Sequence, residues 1–586
     1  MLVSAAAAQQ LDDQAAAFIE IHFLAAKRAE AQSDFSTAER EYKTILQKYP
    51  RAIPEVYQNI GLVYYLQHRY PEAAAAFVDG LKLNPAMEGA RLFLGSSYLF
   101  LEQPVKALPH LEAVYKHKTS VESSMYLGLA HIALRKYEMA LPYFKRALDL
   151  AEVKADYLYL LGDTYLKLSE QVARGIAGKN PGSEYDQFIT AKILDGQEFY
   201  QPAARHYLLA ARKDPENASV FYRLARVFFI LGLDEPGQLA LARYRQLMPL
   251  DSEAKLDPRS VPRKDAAEVG LKIDYAAALR ALPPVEKSLP PLALMPSSVN
   301  MELRKRFRTA RERTALDHLA RGRWQEGIDS LRLILPSVSG WTGDYLTAMA
   351  HFWKDDYAAA ERIVTRRTFS TLTYPAAQTL RWQVFHELSL TYFQRLLEEY
   401  PESSRAHFVK ARMYQGQGKK EALEEFQAAI AAGPNQLGMR TAMAEYLLSN
   451  SKYTEAIDAA NGELELNPHS AEARGILGRI YTQLRQPDQA MPHLEAVLAA
   501  DAGHAEARSD LARCYELKGE IDRAVAEYQR ALQDDPGLNR IHYVLARLYR
   551  RLGKTDLADR ENEIFQKTEA DERARGRRLR EEQAQQ

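Results

Sequence analysis

The chain has 586 residues, of which 47% are hydrophobic and 26% are charged, a composition typical of folded proteins and not of disordered chains. Lysine plus arginine and aspartate plus glutamate both number 77, so a zero net charge gives no indication of a nucleic-acid partner. A single cysteine excludes an intramolecular disulfide framework and any multi-cysteine metal site. No apolar run approaches the roughly 18 residues of a membrane-spanning helix.

The first ten residues resemble the last part of a secretory signal peptide. Met1–Gln10 reads MLVSAAAAQQ, a short apolar stretch before an A-x-A cleavage site. The charged start and most of the apolar core of such a signal are missing. Two interpretations remain: a signal peptide shortened by a misassigned start codon, or an Ala-rich lead into the first helix. We favour the first, and with it a periplasmic or exported location over a cytoplasmic one.

The chain repeats itself with a period of about 34 residues, which is typical of solenoids built from stacked helix pairs. Small residues and tyrosines recur in phase in both halves. Three series show this: Gly478, Ala512 and Ala546 at intervals of 34; Tyr481, Tyr515 and Tyr549 at the same intervals; and Gly61, Gly95, Gly128 and Gly162 at intervals of 34, 33 and 34.

These positions resemble the tetratricopeptide repeat (TPR) of bacterial multi-TPR proteins, whose pattern is W-x2-L-G-x2-Y…A-x3-F…P. The resemblance covers about 17–251 and 308–567. It implies an all-α fold in which tandem helix-turn-helix repeats form a right-handed superhelical solenoid with a concave inner face. One clear unit is 54–87, where the matching residues are Tyr57, Ile60, Gly61, Tyr64, Ala73, Phe77 and Pro85.

The repeat pattern also predicts how each unit packs. A unit reads as two amphipathic helices, A and B, and positions are counted here from its first residue. Small residues at positions 8 and 20 let the two helices approach closely, and a large residue at position 11 or 24 fills the adjoining space. Proline at position 32 ends helix B. Because one pair cannot bury its own apolar face, neighbouring pairs must stack.

The predicted organisation is two TPR arrays joined by a Pro-rich connector. Its prolines exclude a long helix between the arrays, although a helical piece is expected at 264–281. The segments are an N-terminal lead at 1–16, an N-terminal TPR array at 17–251, a Pro-rich linker or strap at 252–307, degenerate TPR-like units at 308–374, a C-terminal TPR array at 375–567 and a charged tail at 568–586.

Two units lack the turn between helices A and B. Gly162 precedes Ser169 by only 7 residues, and Trp382 precedes Ser389 by 7. Losing the turn predicts one continuous helix of about 25 residues, roughly 37 Å long, in each unit. Its occurrence once per half indicates that an ancestral block was duplicated. The long helix then acts as a stiff strut or changes the direction of the superhelix, or it results from a deletion without function that duplication copied.

The motifs of catalytic and metal sites are incomplete. Gly553-Lys554-Thr555 lacks the first glycine of a phosphate loop, and His386-Glu387 lacks the second histidine of a zinc protease. Cys514 is expected to be a buried, inert thiol. The sequence predicts no catalytic residue, no metal site and no cofactor. An activity hidden in 252–374 is the alternative.

The predicted partner-binding surface is a ladder of basic side chains. In other TPR arrays, positions 2, 5, 9, 12 and 13 of helix A face the concave side. Cations occupy position 9 in three successive units of the second half and two of the first, and the last unit adds arginines at positions 2, 12 and 13. Such a ladder favours an acidic segment or a carboxylate, unless local acids pair with it. Its members are Lys192, Arg226, Arg479, Arg513, Arg547, Arg540, Arg550 and Arg551.

The carboxylate clamp of chaperone-binding TPR proteins does not fit this chain. Asn59 matches one clamp position, but Phe23, Gly89 and Phe93 occupy others. We therefore expect a non-enzymatic scaffold or adaptor that holds protein or peptide segments by another mode, with no nucleic-acid partner and no membrane span. A structural role in envelope assembly is the alternative if the chain is exported. The sequence does not indicate an oligomeric state.

Overall fold

Paired antiparallel helices account for nearly all of the chain that the structure describes. The computed structural model describes residues 13–51, 53–247, 273–283, 309–320, 323–334 and 341–584. Thirty helices and no strand lie within these ranges, as the all-α TPR solenoid prediction requires. Met1–Gln10, the signal-like segment, lies outside them.

Contacts divide the chain into two compact units that do not follow chain order. The first unit draws on Met1–Tyr157, Glu402–Ala411 and Glu421–Gln585, and the second on Leu158–Pro401 and Arg412–Lys420. The boundary predicted at 252–307 lies mostly outside the described residues, so the division into two arrays stays a prediction.

The first unit contains most of the regular helix pairs. In its N-terminal part they are Asp13–Ala31 with Phe35–Lys48, Pro54–Leu66 with Tyr70–Leu83, Glu88–Phe100 with Pro104–His117, and Val121–Ala133 with Tyr137–Leu150. In its C-terminal part they are Met439–Ser449 with Tyr453–Leu466, Ala471–Gln483 with Pro487–Ala500, Ala505–Leu517 with Ile521–Asp534, and Arg540–Arg551 with Thr555–Ala584. Helix Ala422–Ala432 belongs here, and Ser404–Gly416 begins here. The last helix continues through the predicted charged tail as far as Ala584.

The second unit contains the degenerate repeats and both repeats that lack the turn between helices A and B. Its helices, in chain order, are Ala155–Lys179, Glu184–Gly196, Tyr200–Lys213, Ala218–Ile230, Asp234–Leu247, Tyr275–Arg280, Ala310–Ala320, Trp324–Ile334, Trp341–Trp353, Tyr357–Val364, Arg367–Ser370 and Pro375–Glu399. Tyr275–Arg280 lies within the helical piece predicted in the linker. It packs on the preceding repeat, with the Tyr275 ring 5.0 Å from that of Phe228.

Small residues at positions 8 and 20 do bring the two helices of a repeat together. A Cβ added to Gly61 would lie 2.7 Å from the Phe77 ring, and one added to Gly95 would lie 2.6 Å from Leu111. Each large partner stands at position 24 of the same unit, on helix B. Alanine at position 20 is fully buried in repeat after repeat: Ala73, Ala107, Ala140, Ala203, Ala456, Ala490, Ala524 and Ala558. The predicted packing rule is therefore confirmed.

The turn between helices A and B has one recurring backbone conformation. Position 15 adopts a positive φ in ten repeats, which lets the chain leave helix A and enter helix B within a few residues. Most of these residues are not glycine, although a side chain in this region costs about 1 kcal/mol or more. They are His68, Glu102, Arg135, Glu198, Gly232, Asp355, Ser451, Arg485, Gly519 and Gly553.

Both predicted continuous helices are present. Ala155–Lys179 and Pro375–Glu399 each contain 25 residues. Within the second unit they pack on one another: a Cβ on Gly162 would lie 2.6 Å from the Phe393 ring, and the rings of Tyr165 and Tyr392 stack at 5.7 Å. Gly162 stands at position 8 of its repeat. Because that repeat has no separate helix B, Phe393 of the second long helix takes the place that the large side chain at position 24 takes in other repeats.

The packing rule can be tested on two glycines of one helix, Ala471–Gln483. A Cβ on Gly478 would lie 2.5 Å from Leu494 Cδ2, whereas one on Gly475 meets nothing closer than 4.0 Å. Gly478→Ala should destabilise this repeat by about 1–3 kcal/mol because its neighbour must move. Gly475→Ala should stabilise it by about 0.5–1 kcal/mol because alanine is the better helix former.

Hydrogen exchange of the amides in 471–500, followed by mass spectrometry, measures both effects. We expect faster exchange in Gly478→Ala and slower exchange in Gly475→Ala. Equal protection in the two variants would contradict the packing rule.

Candidate functional site

The three position-9 arginines of the second half lie exposed on successive A helices, and acids stand between them. Arg479 Nε is 3.7 Å from Asp510 Oδ2, and Arg547 Nη2 is 2.6 Å from Glu516 Oε1. Both acids lie on helix Ala505–Leu517, on either side of Arg513. Burial raises the pKa of the Asp510 carboxyl, and the charges of Arg479 and Arg513 oppose that rise. The surface is therefore a strip of alternating charge.

The partners of these arginines come from the neighbouring repeat. Glu516 and Arg547 are 31 residues apart in the sequence. Asp510 and Arg479 have the same separation. The local acids expected from the sequence would lie one turn away on the same helix, and the observed partners do not. The signal that could have revealed the pairing is an acid at the repeat period minus one helical turn. This spacing brings position 12 of one A helix beside position 9 of the next, as in Glu516 with Arg547. It also brings position 9 beside position 6 of the next, as in Arg479 with Asp510.

The same register occurs in the second unit at Arg226. Its Nη1 donates to both carboxylate oxygens of Asp195, 31 residues earlier, at 2.8 and 3.0 Å. Asp195 is almost fully buried and also accepts a hydrogen bond of 3.3 Å from the Tyr207 hydroxyl. Arg226 is partly exposed, but its guanidinium is hydrogen-bonded to the buried Asp195 carboxylate. Its main role is therefore to stabilise the fold.

Lys192 is not a surface cation, which corrects its place in the predicted ladder. It is only 5% exposed, and its Nζ donates a hydrogen bond to Glu387 of the second long helix. The ammonium also lies 5.4 Å from the centre of the Trp382 ring. Burial lowers the pKa of Lys192 to about 8, helped by Arg223 and opposed by Glu387. A partner on the surface cannot reach this group.

Burial raises the pKa of Glu387, but the neighbouring basic groups, Lys192 first and then Arg223, together hold it below the ordinary value. The neighbouring His386 stacks on Trp382 with the ring centres 5.0 Å apart. Burial lowers the pKa of His386 to about 3, so this imidazole is neutral at ordinary pH. The two residues that begin a zinc-protease motif therefore belong to the packing of the second unit.

Helix Arg540–Arg551 carries the remaining predicted cations. Arg540, Arg550 and Arg551 are exposed, and Arg550 lies 3.8 Å from Asp559. Among the described residues, Arg540 and Arg551 have no hydrogen bond or ion pair with a carboxylate. The opposite face of the helix is buried through Ile541, Leu545, Ala546, Leu548 and Tyr549.

The degenerate repeats use their aromatic and polar side chains for packing and capping. The rings of Trp341 and Tyr374 stack at 4.6 Å, and His351 Nδ1 lies 3.1 Å from the Asp356 carboxylate. The Asp356 carboxylate also caps helix Tyr357–Val364 by accepting from the Ala359 amide. Cys514 is fully buried, as predicted, and burial raises the pKa of its thiol.

Within the described residues no group of three or more His, Cys, Asp or Glu side chains could hold a metal ion. The described helices also include none that is both long and apolar enough to cross a membrane.

The Lys192–Glu387 pair predicts a pH-dependent stability. Between pH 8 and pH 10.5, Lys192 keeps its proton when unfolded and loses it when folded, so stability from this group rises with pH, by up to about 1.4 kcal/mol per unit. Lys192→Met should cost about 3–5 kcal/mol because it leaves the Glu387 carboxylate buried without this partner. Lys192→Met/Glu387→Leu should recover most of that loss and abolish the pH dependence.

Tryptophan fluorescence during urea unfolding measures this directly, because all four tryptophans (Trp324, Trp341, Trp353 and Trp382) belong to the second unit. Equal stability of the single and double variants, or an unchanged pH profile in the double variant, would count against the buried pair.

Two sequence models of the tetratricopeptide repeat match the chain. One matches 482–548, and the other matches 23–88, 92–152, 125–173, 385–436 and 441–491. No curated protein is similar enough to match.

Several solved structures are similar to parts of the chain at low identity. MamA from Desulfovibrio magneticus RS-1 is 21% identical over 29% of this chain and 96% of that chain, with a TM-score of 0.28. PilF of Pseudomonas aeruginosa is 17% identical over 42% of this chain and 99% of that chain, with a TM-score of 0.28. YrrB, described as a TPR protein with an unusual peptide-binding site, is 20% identical over 30% of this chain and 90% of that chain, with a TM-score of 0.26. The matched repeats, their regular period and the helix pairs show that the chain belongs to the tetratricopeptide repeat family.

Proposed function

We propose that this protein is a non-enzymatic scaffold that binds segments of partner proteins, and that helix Arg540–Arg551 holds an acidic segment. TPR proteins in general are protein-interaction scaffolds, because stacked repeats present long surfaces to a partner. The observation that carries the finer proposal is the charge of this helix. It contains four arginines and no aspartate or glutamate.

The arginines of this helix share one face. Arg547 and Arg551 follow Arg540 by 7 and 11 residues, which is close to two and three helical turns, and Arg550 lies beside them. All four are exposed, whereas the opposite face packs into the core. An acidic segment lying along the helix would therefore meet several guanidinium groups, each able to bind a carboxylate with two hydrogen bonds.

An aromatic side chain lies within the same face. Tyr543 is 54% exposed, and its ring packs 5.5 Å from that of Phe565 on the next helix. A tyrosine held on one side in this way offers apolar area and a hydroxyl to a partner at little cost in conformational entropy. The face combines charge with a rigid contact surface.

The strip between Arg479 and Arg547 is less suited to the same role. Asp510 and Glu516 already form ion pairs with two of its arginines, so an incoming carboxylate must displace them. Arg540 and Arg551 need no such exchange. We therefore place the strongest contacts with an acidic partner on the last helix pair and weaker ones along the strip.

A non-enzymatic role is supported by how the fold uses its buried titratable groups. Lys192 with Glu387, and Asp195 with Arg226 and Tyr207, satisfy one another inside the second unit. Their hydrogen bonds run between helices, so these groups stabilise the fold. The parts of 252–374 that lie outside the described residues, 252–272 among them, carry no part of this proposal.

The proposal can be tested by affinity capture from a lysate of the source organism with the full-length chain. We expect Arg540→Gln/Arg547→Gln/Arg551→Gln to reduce recovery of the bound partner at least tenfold, since each charge-assisted hydrogen bond contributes about 1.5–3 kcal/mol. Recovery by the wild-type chain should fall as salt rises.

The matched control is Arg146→Gln/Arg485→Gln/Arg560→Gln, which removes three exposed arginines elsewhere in the first unit. It should retain the partner. Equal recovery by the two triple variants, or partners whose capture is independent of salt, would overturn the acidic-segment proposal.

A further inference from the structure

A groove in the first unit lies between two successive B helices, away from the position-9 strip. Its walls are helices Ala422–Ala432 and Tyr453–Leu466, and its floor is helix Met439–Ser449. It has a volume of about 350 Å³, within the range of known ligand pockets. Met443 on the floor and Glu445, which stands at position 9, are two residues apart and so lie on opposite faces of their helix.

The groove is apolar along about two helical turns. On one wall Leu423, Gln427 and Ile430 follow one another at helical spacing, and on the floor Met443 and Leu447 are one turn apart. Leu423, Ile430 and Met443 are only partly buried, so the chain does not cover them fully. Seven residues of helix span about 10 Å, which suits two aliphatic side chains of a docked helix one turn apart.

The groove coincides with one departure from the repeat pattern. Position 11, which is tyrosine in the next three repeats as Tyr481, Tyr515 and Tyr549, is Leu447 here. Leucine is smaller, and in later repeats the tyrosine at this position reaches a B helix: the Tyr481 ring stacks on His493 at 5.9 Å, and the Tyr549 hydroxyl accepts a hydrogen bond of 2.8 Å from Gln529. Leu447 therefore distinguishes this repeat from the three that follow it.

The rim of the groove is acidic. Glu455 and Asp458 line the second wall one turn apart, and both are exposed. Among the described residues neither carboxylate forms a hydrogen bond or an ion pair. Arg440 is the one cation among the lining residues, and it donates a hydrogen bond of 2.6 Å to the Pro434 carbonyl. At the matching positions of the next two repeats the acids are replaced by Gln489 and Pro492, and by Arg523 and Ala526.

We propose that this groove binds a helical segment of a partner protein that carries aliphatic side chains on one face and lysine or arginine beside them. The aliphatic side chains fill the space left by Leu447, and the cations pair with Glu455 and Asp458. Charge complementarity selects a basic occupant over an acidic one. The groove thus has the opposite preference from helix Arg540–Arg551, and the inference does not rest on the function proposed above.

The test uses a fluorescein-labelled helical peptide with two leucines one turn apart, flanked by lysines. Fluorescence anisotropy with the full-length chain should show saturable binding. Replacing the leucines with alanine, or the lysines with glutamate, should each weaken binding at least tenfold. A peptide with glutamates that binds as tightly as the lysine peptide would overturn the proposal, as would the absence of saturable binding.

Two variants of the chain locate the binding. Leu447→Tyr restores the residue of the neighbouring repeats and should abolish binding by filling the groove. Glu455→Lys/Asp458→Lys should weaken binding at least tenfold, while Asp522→Lys/Asp556→Lys, which makes the same charge change in the first turns of other B helices, should leave it unchanged. Methyl NMR of labelled methionines should show the Met443 signal shifting with peptide and the buried Met87 signal unmoved. Unchanged binding in Leu447→Tyr, or equal losses in the two double-lysine variants, would contradict the assignment.

Discussion

The close approach of two helices at position 8 is the contact on which the rest of the structure depends. Where glycine stands there, as at Gly61 and Gly478, the facing side chain at position 24 lies where a Cβ would be. This approach sets the spacing within each pair, and the stacking of pairs then buries the apolar faces that a single pair leaves exposed. The second unit makes the same kind of contact between its two long helices. Phe393 of one long helix fills the space over Gly162 of the other, so the loss of two internal turns is compensated by pairing the helices that lost them.

Local regularities of the sequence were enough to predict the repeats and the two long helices. Glycine, alanine and tyrosine recur in phase because each meets the same packing requirement in every unit. A missing turn shortens the spacing between two such positions, as between Gly162 and Ser169, and so is visible in the sequence. The positive φ at position 15 was not predicted, because residues as different as His68 and Arg485 adopt it. At position 15 the geometry of the turn sets a positive φ even where the residue itself disfavours it.

The surface could be predicted less well than the core. The partners of the position-9 arginines stand in a neighbouring repeat, where a search along one helix does not find them. Lys192 meets Glu387 across 195 residues, and no periodicity of the sequence connects them. The groove over Leu447 could not be predicted from the sequence either, because three helices must pack together to form it. It coincides with a leucine at a position that is tyrosine in the three repeats that follow.

The repeats thus share one packing arrangement, and the first unit carries an acidic groove and an arginine face at different repeats. The measurement that tests this account most directly is site-specific photo-cross-linking in the full-length chain. A photoreactive amino acid would replace Tyr543 on the arginine face or, as control, the exposed Met139 on a B helix. The account predicts that a partner cross-links through position 543 and not through 139, and that sequencing of the cross-linked peptide finds an acidic segment. Cross-links at both positions, none at position 543, or a basic segment at position 543 would contradict it.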